Sequence, residues 1–536
     1  MQRDGRRIVE VVETDGLQDE AARDGKRKPS HLREGVDVAM DATGVELDVQ
    51  ADGGCVGLEL HQLRPKLREP HPHSAGECTP RHGKRNADRC SERCLNAICV
   101  SIVTIRRLTA ARPRARVRAT SPRVATFRAS SVDTFAQDPL RAYRRVRRDT
   151  DRLCEPLELE DFGLQSMPDA SPVKWHLGHT AWFFETFVLG PHVQPFHPQF
   201  GYLFNSYYET VGRMHPRPER GLLSRPTVAE VRRYRAHVDE QVEARLAAGQ
   251  LEPAELAVVE LGLHHEQQHQ ELILTDLKHG FSKNPLRPTY RARSQPSSQG
   301  RVARWISHDG GIVSVGHDGE GFHFDNEGPA HEVLLRPFEI ADRKVTCGEY
   351  LEFMRDGGYE RAELWLSAGW STVQTRGWRA PLYWEALDGE WRVFTLHGMQ
   401  PVDPAEPVCH VSLFEADAFA RWAGARLPTE FEWECSLGAQ TLKSSEATPH
   451  PSPARDGVQA FGDTWVWTSS AYAPYPGYRP PAGALGEYNG KFMCSQLVLR
   501  GGSCATPRGH VRATYRNFFH PPDRWQFSGI QLARDP

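Results

Sequence analysis

The segment Leu263-His264-His265-Glu266-Gln267-Gln268-His269-Gln270-Glu271 restricts what the chain can fold into more than any other stretch. It lies inside a run from Ala254 to His279 in which Val258, Leu261, His265, Gln268, His269 and Leu272 return at three- and four-residue steps, the repeat of one helical face. The spacing predicts a helix with His265 and His269 one turn apart on the side turned to a core. A single histidine on such a face is usually a hydrogen-bonded core residue. Two of them at i and i+4, with Gln268 beside them, favour a metal clip of imidazole nitrogens with further ligands from elsewhere. These donors leave the metal open. His265-Glu266-x-x-His269 also matches the zinc-hydrolase pattern in which the glutamate is a general base. The extended pattern needs Gly and then His downstream, where this chain has Leu272 and Thr275. The stretch from Lys278 to Tyr290 offers no helix with a ligand glutamate, so the hydrolase is the weaker expectation.

A chain of 536 residues can bury the cores of about two or three domains. Its formal charge of −3 argues against a nucleic-acid partner. No apolar run reaches the roughly eighteen residues of a membrane span, and no apolar stretch follows the N-terminal charges, so a cytoplasmic protein without membrane partners is expected. Eleven cysteines without paired spacing fit reduced thiols.

Residues 1–132 lack sustained periodicity, and 101–130 hold eight arginines and no acidic residue, a composition expected to stay disordered. Cys90, Cys94 and Cys99 fit no standard zinc spacing. Of a basic tail, a presequence and translation upstream of the true start, the last fits best, because the basic run is internal.

Residues 133–290 read as a helical bundle. Asp138-Pro139 opens a helix to about Cys154, and Ser171-Pro172 caps a second over Val173–Leu189. Thr227-Val-Ala-Glu230 is a capping box for a third, which stops at Gly249. The histidine helix is the fourth. Bundles build metal sites from inward side chains, and either His176 or His179 on the second helix could complete a three-histidine set with open positions, suited to iron(II) and oxygen or to a catalytic zinc. A crossover from Pro191 to Pro226 carries Tyr207 and Tyr208, which either serve a site or pack the loop down. Residues 291–300 read as a linker, and 301–536, rich in Gly-Gly and Pro turns and holding most of the thirteen tryptophans, as an irregular α+β domain.

Trp175-x-x-x-His179 with His265-x-x-x-His269-x-Glu271 resembles the DinB-like metal-binding bundle. Val345-Thr-Cys-Gly-Glu-Tyr350, Ala425-Arg-Leu-Pro-Thr-Glu-Phe-Glu-Trp433, Val466-Trp-Thr-Ser-Ser470, Leu499-Arg-Gly-Gly-Ser503, Tyr515-Arg-Asn517 and Gly529-Ile-Gln-Leu-Ala533 resemble the formylglycine-generating-enzyme (sulfatase-modifying factor) domain, a C-type-lectin-like fold. In this order, over about 135–536, they resemble the hercynine oxygenases, the sulfoxide synthases of ergothioneine biosynthesis.

The resemblance implies a nonheme iron(II) enzyme that uses O2 to join a thiol sulfur to C2 of the hercynine imidazole and oxidises that sulfur. By motif position His179, His265 and His269 would hold the metal with His176 behind them, Gln268 and Asn517 would help hold hercynine, and Phe518 would meet its quaternary ammonium through a π face. One branch of the family grips γ-glutamylcysteine with an Asp and an Arg; here Phe519 and Asp523 stand at those places, so free cysteine is the expected donor. Tyr207 and Tyr208 resemble the cysteine-using branch, in which loop tyrosines are the proton donors. Arg220 and Arg225 offer charge for the donor's carboxylate. A copper-binding cysteine pair, needed by a formylglycine-generating oxidase, is missing around Tyr515–Phe519. The other activity class to weigh is a DinB-like zinc-dependent thiol transferase.

Overall fold

Residues 135–293, 300–440, 449–507 and 509–536 are described in the computed structural model. The extension expected over 1–132, with Cys90, Cys94 and Cys99, lies outside them, as do residues 294–299 of the expected linker.

Local capping chemistry starts the helices. The Asp138 carboxylate accepts from the Arg141 N–H at 2.9 Å and opens α1 (Pro139–Cys154). α2 (Val173–Phe184) runs into a π-helical stretch, Glu185–Leu189. The serine cap predicted for it does not form. Pro172 takes the cap position, while the Ser171 N–H donates to Asp276 Oδ2 at 2.8 Å and its hydroxyl accepts from Arg220 Nη1 at 3.0 Å, so tertiary partners outcompete the local bond. The crossover holds α3 (Phe200–Phe204) and a 3-10 turn, Arg217–Leu222. α4 (Val228–Ala248) begins with the predicted box, Thr227 N–H to Glu230 Oε2 at 2.7 Å and Glu230 N–H to Thr227 Oγ1 at 3.2 Å, and ends at Gly249 with φ +62°.

α5 (Pro253–Lys283) is longer than the periodicity predicts, and from Gly262 to Ser282 nearly every side is covered. One stripe, with His265, Glu266, His269 and Gln270, turns into the bundle. The other is not a solvent face, because the second part of the chain packs on it. There the Glu271 carboxylate accepts from Trp465 Nε1 at 2.8 Å, Ser503 Oγ at 2.5 Å and Thr506 Oγ1 at 2.6 Å.

That second part is α+β, as expected. Its elements are β1 (Trp305–His308), β2 (Gly311–Val315), β3 (His331–Leu335), β4 (Phe338–Ala341), α6 (Cys347–Arg355), α7 (Ser367–Arg376), β5 (Trp384–Leu387), β6 (Glu390–Thr395), β7 (Gly398–Pro401), α8 (Leu413–Trp422), α9 (Glu430–Leu437), β8 (Trp465–Ala471), β9 (Leu497–Arg500), β10 (Asn517–Phe519), β11 (Ser528–Gly529) and β12 (Ala533–Arg534). The sheet that meets α5 has the order β10-β9-β8-β11, antiparallel except for β11 on β8, and Trp465 and the loop after β9 present the donors that take Glu271. The smaller sheets are β1-β4-β12, β5-β6-β7 and β2-β3. Among the described residues no helix is long and apolar enough to cross a membrane, and Cys154, Cys347, Cys409, Cys435, Cys494 and Cys504 are free thiols.

Candidate metal centre

His179 on α2 and His265 and His269 on α5 converge, with one ligand-type nitrogen from each lying within 4.8 Å of the others, and all three are buried. His265 Nε2 is 3.2 Å from His179 Nε2 and 3.1 Å from His269 Nε2. Hydrogen bonds on the far side of two rings fix which nitrogens carry protons. His179 Nδ1 can only donate to the Phe204 carbonyl at 2.6 Å, so its Nε2 is a bare lone pair. His176 Nε2 donates to the Asp276 carboxylate at 3.1 Å, so His176 Nδ1 accepts from His269 Nδ1 at 2.8 Å, and Nε2 of His269 is bare as well. The buried Nδ1 of His265 has no hydrogen-bond partner among the described residues. A single proton on His265 Nε2 could not satisfy both facing lone pairs, so the donor set fits a cation at its centre.

Electrostatics agree. Burial, reinforced by the neighbouring imidazoles, holds His179 and His269 well below the usual histidine range, and burial pushes His265 down to about 3. Neutral rings are the form that ligates metal.

Small residues set this geometry. A Cβ on Gly178 would lie 2.2 Å from the Phe204 ring, so only glycine lets α3 approach α2 closely enough for the Phe204 carbonyl to reach His179. Aromatic rings dry the site: Trp175 stacks on His179 at 4.6 Å and Trp182 at 5.5 Å, and Phe183 lies 4.8 Å from His265.

Glu266 does not face the histidines as a general base must. It is fully buried and accepts from Thr150 Oγ1 at 2.6 Å, Arg147 Nη1 at 2.8 Å and Arg235 Nη2 at 2.5 Å. Burial alone would raise its pKa, but the two guanidinium groups outweigh it and hold the carboxyl at about 2. The zinc-hydrolase expectation falls on this point, since a carboxylate locked between two arginines takes no proton from water.

The other predicted residues are brought together only in part. Gln268 joins the two halves of the chain: its Oε1 accepts from the Tyr488 hydroxyl, and its Nε2 donates to Tyr515 Oη at 2.7 Å. Tyr488 packs 5.7 Å from His265. Tyr208 is buried against Trp182 at 5.7 Å and Phe187 at 5.1 Å, and its hydroxyl has no hydrogen-bond partner among the described residues. Tyr207 stacks on Tyr208 at 4.6 Å and meets Tyr488 at 6.4 Å and Phe492 at 5.3 Å. Burial holds both phenols above their usual range, hence protonated. Phe518 stacks on Tyr472 at 4.0 Å and lies 6.1 Å from Phe492, one ring removed from Tyr207, while Asn517 Oδ1 accepts from the Phe518 N–H at 2.9 Å. Arg220 is turned into the core, and Arg225 is exposed with Nη1 on the Ser224 carbonyl at 3.0 Å.

Sequence reasoning missed Asp276 and Tyr488. Asp276 was within reach, because 265, 269, 272 and 276 form one helical stripe. Tyr488 sits in an irregular segment between short helical turns and carries no local signal.

The DinB superfamily description matches residues 142–273, and that of the sulfatase-modifying factor enzyme 1-like domain matches 290–450. A hercynine oxygenase of Mycobacterium tuberculosis is 33% identical over 401 residues, 69% of this chain and 92% of that protein. One from Mycolicibacterium thermoresistibile is 32% identical over 405 residues, 69% of this chain and 88% of that protein. A formylglycine-generating enzyme of Streptomyces coelicolor is 30% identical over 266 residues, covering 40% of this chain and 83% of that protein. A helical bundle carrying three convergent histidines, joined to an α+β domain and alike over nearly the full length of such relatives, places this chain in the hercynine oxygenase family, whose members are oxygenases.

Proposed function

We propose that the chain is a nonheme iron(II) sulfoxide synthase that joins the thiol of cysteine to C2 of the hercynine imidazole at the expense of O2. The convergence of three bare or neutral imidazole nitrogens is the observation that carries this. Two metal–nitrogen bonds of about 2.1 Å at a right angle put the nitrogens about 3.0 Å apart, against about 3.4 Å at a tetrahedral angle. The spacings of 3.1 and 3.2 Å lie between the two and suit either metal, and it is the oxygenase family that favours iron(II) with open positions over zinc. Iron(II) held by His179, His265 and His269 would supply the redox chemistry and stabilise the donor thiolate. The overall change balances: C2–H and S–H are lost, a C–S bond forms, one oxygen atom goes to sulfur and the other leaves as water.

Gln268, its amide fixed between two tyrosines, orients hercynine from α5, and the π faces around Phe518 suit a quaternary ammonium that donates no hydrogen bond. Tyr207 and Tyr208 enter the reaction as proton or hydrogen-bond donors. The buried Tyr208 hydroxyl supports this, because among the described residues it makes no close hydrogen bond and has the Tyr207 hydroxyl beside it, so a bound partner would improve its pairing. Cysteine is favoured as donor because neither clamp position, Phe519 or Asp523, supplies a cation. Burial pushes Asp523 up to about 6, and the adjacent Arg524 is committed to Glu415 at 2.8 Å, the Ala380 carbonyl at 3.0 Å and the Trp378 ring at 3.8 Å. Anaerobically iron-loaded protein given hercynine, O2 and equal cysteine and γ-glutamylcysteine should yield mainly the cysteine-derived sulfoxide by mass. A γ-glutamyl product in excess, or turnover without O2, would defeat the proposal.

A further inference from the structure

Arg220 sits on the returning half of the crossover, in the 3-10 turn Arg217–Leu222, and is only 3% exposed. A buried guanidinium ordinarily faces a carboxylate, since an unpaired charge away from water is costly. This one does not. Its central carbon lies 3.4 Å from the centre of the Trp175 ring, Nη1 donates to Ser171 Oγ at 3.0 Å, and Nε has no hydrogen-bond partner among the described residues. Both contacts lead to the histidines. The Trp175 indole stacks on His179 with 4.6 Å between centres and 13° between planes. Ser171 gives its N–H to Asp276 Oδ2 at 2.8 Å, and the same oxygen accepts from His176, which holds His269. One side chain from the crossover thus touches the supports of two imidazoles carried on different helices.

We propose that Arg220 is a positioning residue of the metal centre, pressing Trp175 against His179 and fixing Ser171 against Asp276, and so setting the angle at which the two ring nitrogens converge. This rests on the three-histidine centre proposed above. The guanidinium shape explains the choice of residue: a flat cation can lie on an indole while one of its corners donates to a hydroxyl, which a lysine ammonium cannot do together. The alternative role, merely pinning the loop down, would cost stability without shifting the bands of a metal ion bound by the histidines.

Metal-free protein titrated with cobalt(II) tests this by affinity and by the visible bands of the bound ion. Arg220→Met should weaken binding about ten- to hundredfold and shift the bands, as losses of groups that orient metal ligands do. Arg220→Lys should fall between it and the wild type. In a Trp175→Phe background, Arg220→Met should cost far less than it does alone, the non-additivity expected of a chain of contacts. Wild-type affinity and bands in Arg220→Met, or losses that simply multiply in the double variant, would overturn the role. If Arg220→Met does not fold by circular dichroism, Arg220→Lys decides by the same two readouts. His265→Ala separates the premises: if it leaves cobalt binding untouched, the metal centre is misassigned and the proposal falls with it; if it abolishes binding while Arg220→Met changes nothing, only the role of Arg220 falls.

Discussion

Two buried polar groups near the histidines behave oppositely, and the difference is what each is bonded to. Glu266 is saturated by Thr150, Arg147 and Arg235. Glu266→Gln takes from Arg147 and Arg235 the buried carboxylate they share, leaving them Asp239 at 2.6 Å and Asp151 at 3.3 Å, and should destabilise the fold by about 1.5–3 kcal/mol in urea unfolding at pH 7. The folded carboxyl, at about 2, lies below its ordinary 4.5, so its contribution is fully present above that value and is lost as pH falls toward 2. A variant as stable as the wild type at pH 7 would show the triad to be dispensable. The Tyr208 hydroxyl instead makes no close hydrogen bond among the described residues and has the Tyr207 hydroxyl beside it. Tyr208→Phe should keep or gain up to about 1 kcal/mol of stability while moving products from sulfoxide toward simple thiol oxygenation, and Tyr207→Phe should move products the same way. An unchanged product balance in both would remove the tyrosines from the chemistry.

Among the helices, α2 depends on close approach and α5 on being covered from two sides. Gly178→Ala drives a methyl group into the Phe204 ring and displaces the carbonyl that orients His179. It should cost about 1–3 kcal/mol of stability and weaken metal binding together, measured by thermal unfolding with and without metal. Loss of stability alone would separate α3 from the site. Helix ends with local chemistry were legible in the chain: Asp138, the Thr227–Glu230 pair and Gly249 each act within a few residues. The cap expected of Ser171 failed because its partners, Asp276 and Arg220, are distant in sequence. The length and all-round burial of α5 escaped periodicity for the same reason, as its second face is defined by Trp465, Ser503 and Thr506, nearly two hundred residues or more away. The histidine pair was legible because two ligands on one helix form a local pattern; Tyr488 was not, since nothing near it in sequence announces the contact with Gln268.

Across the whole molecule, the contact between bundle and α+β domain includes a buried amine. Lys278 is fully covered with His410 Nε2 at 2.7 Å, and burial pushes its ammonium down to about 8 from the ordinary 10.5. Below pH 8 both folded and unfolded chains hold this proton, and the burial cost is present in full. Between about 8 and 10.5 the folded chain gives it up first, so stability from this group should rise with pH, by roughly 3 kcal/mol in total. The stability difference between wild type and Lys278→Met should therefore shift toward the wild type across that window, and a difference that stays flat would contradict the assignment. The same contact closes the metal centre, for Gln268, Tyr488 and Tyr515 meet there above His265. Anaerobic iron(II) loading followed by oxygen uptake with hercynine and cysteine is the decisive measurement for that centre. One iron bound per chain and one O2 consumed per sulfoxide are expected, with both lost in His179→Ala. Equal turnover by the zinc-loaded protein without oxygen, or full activity in His179→Ala, would contradict it.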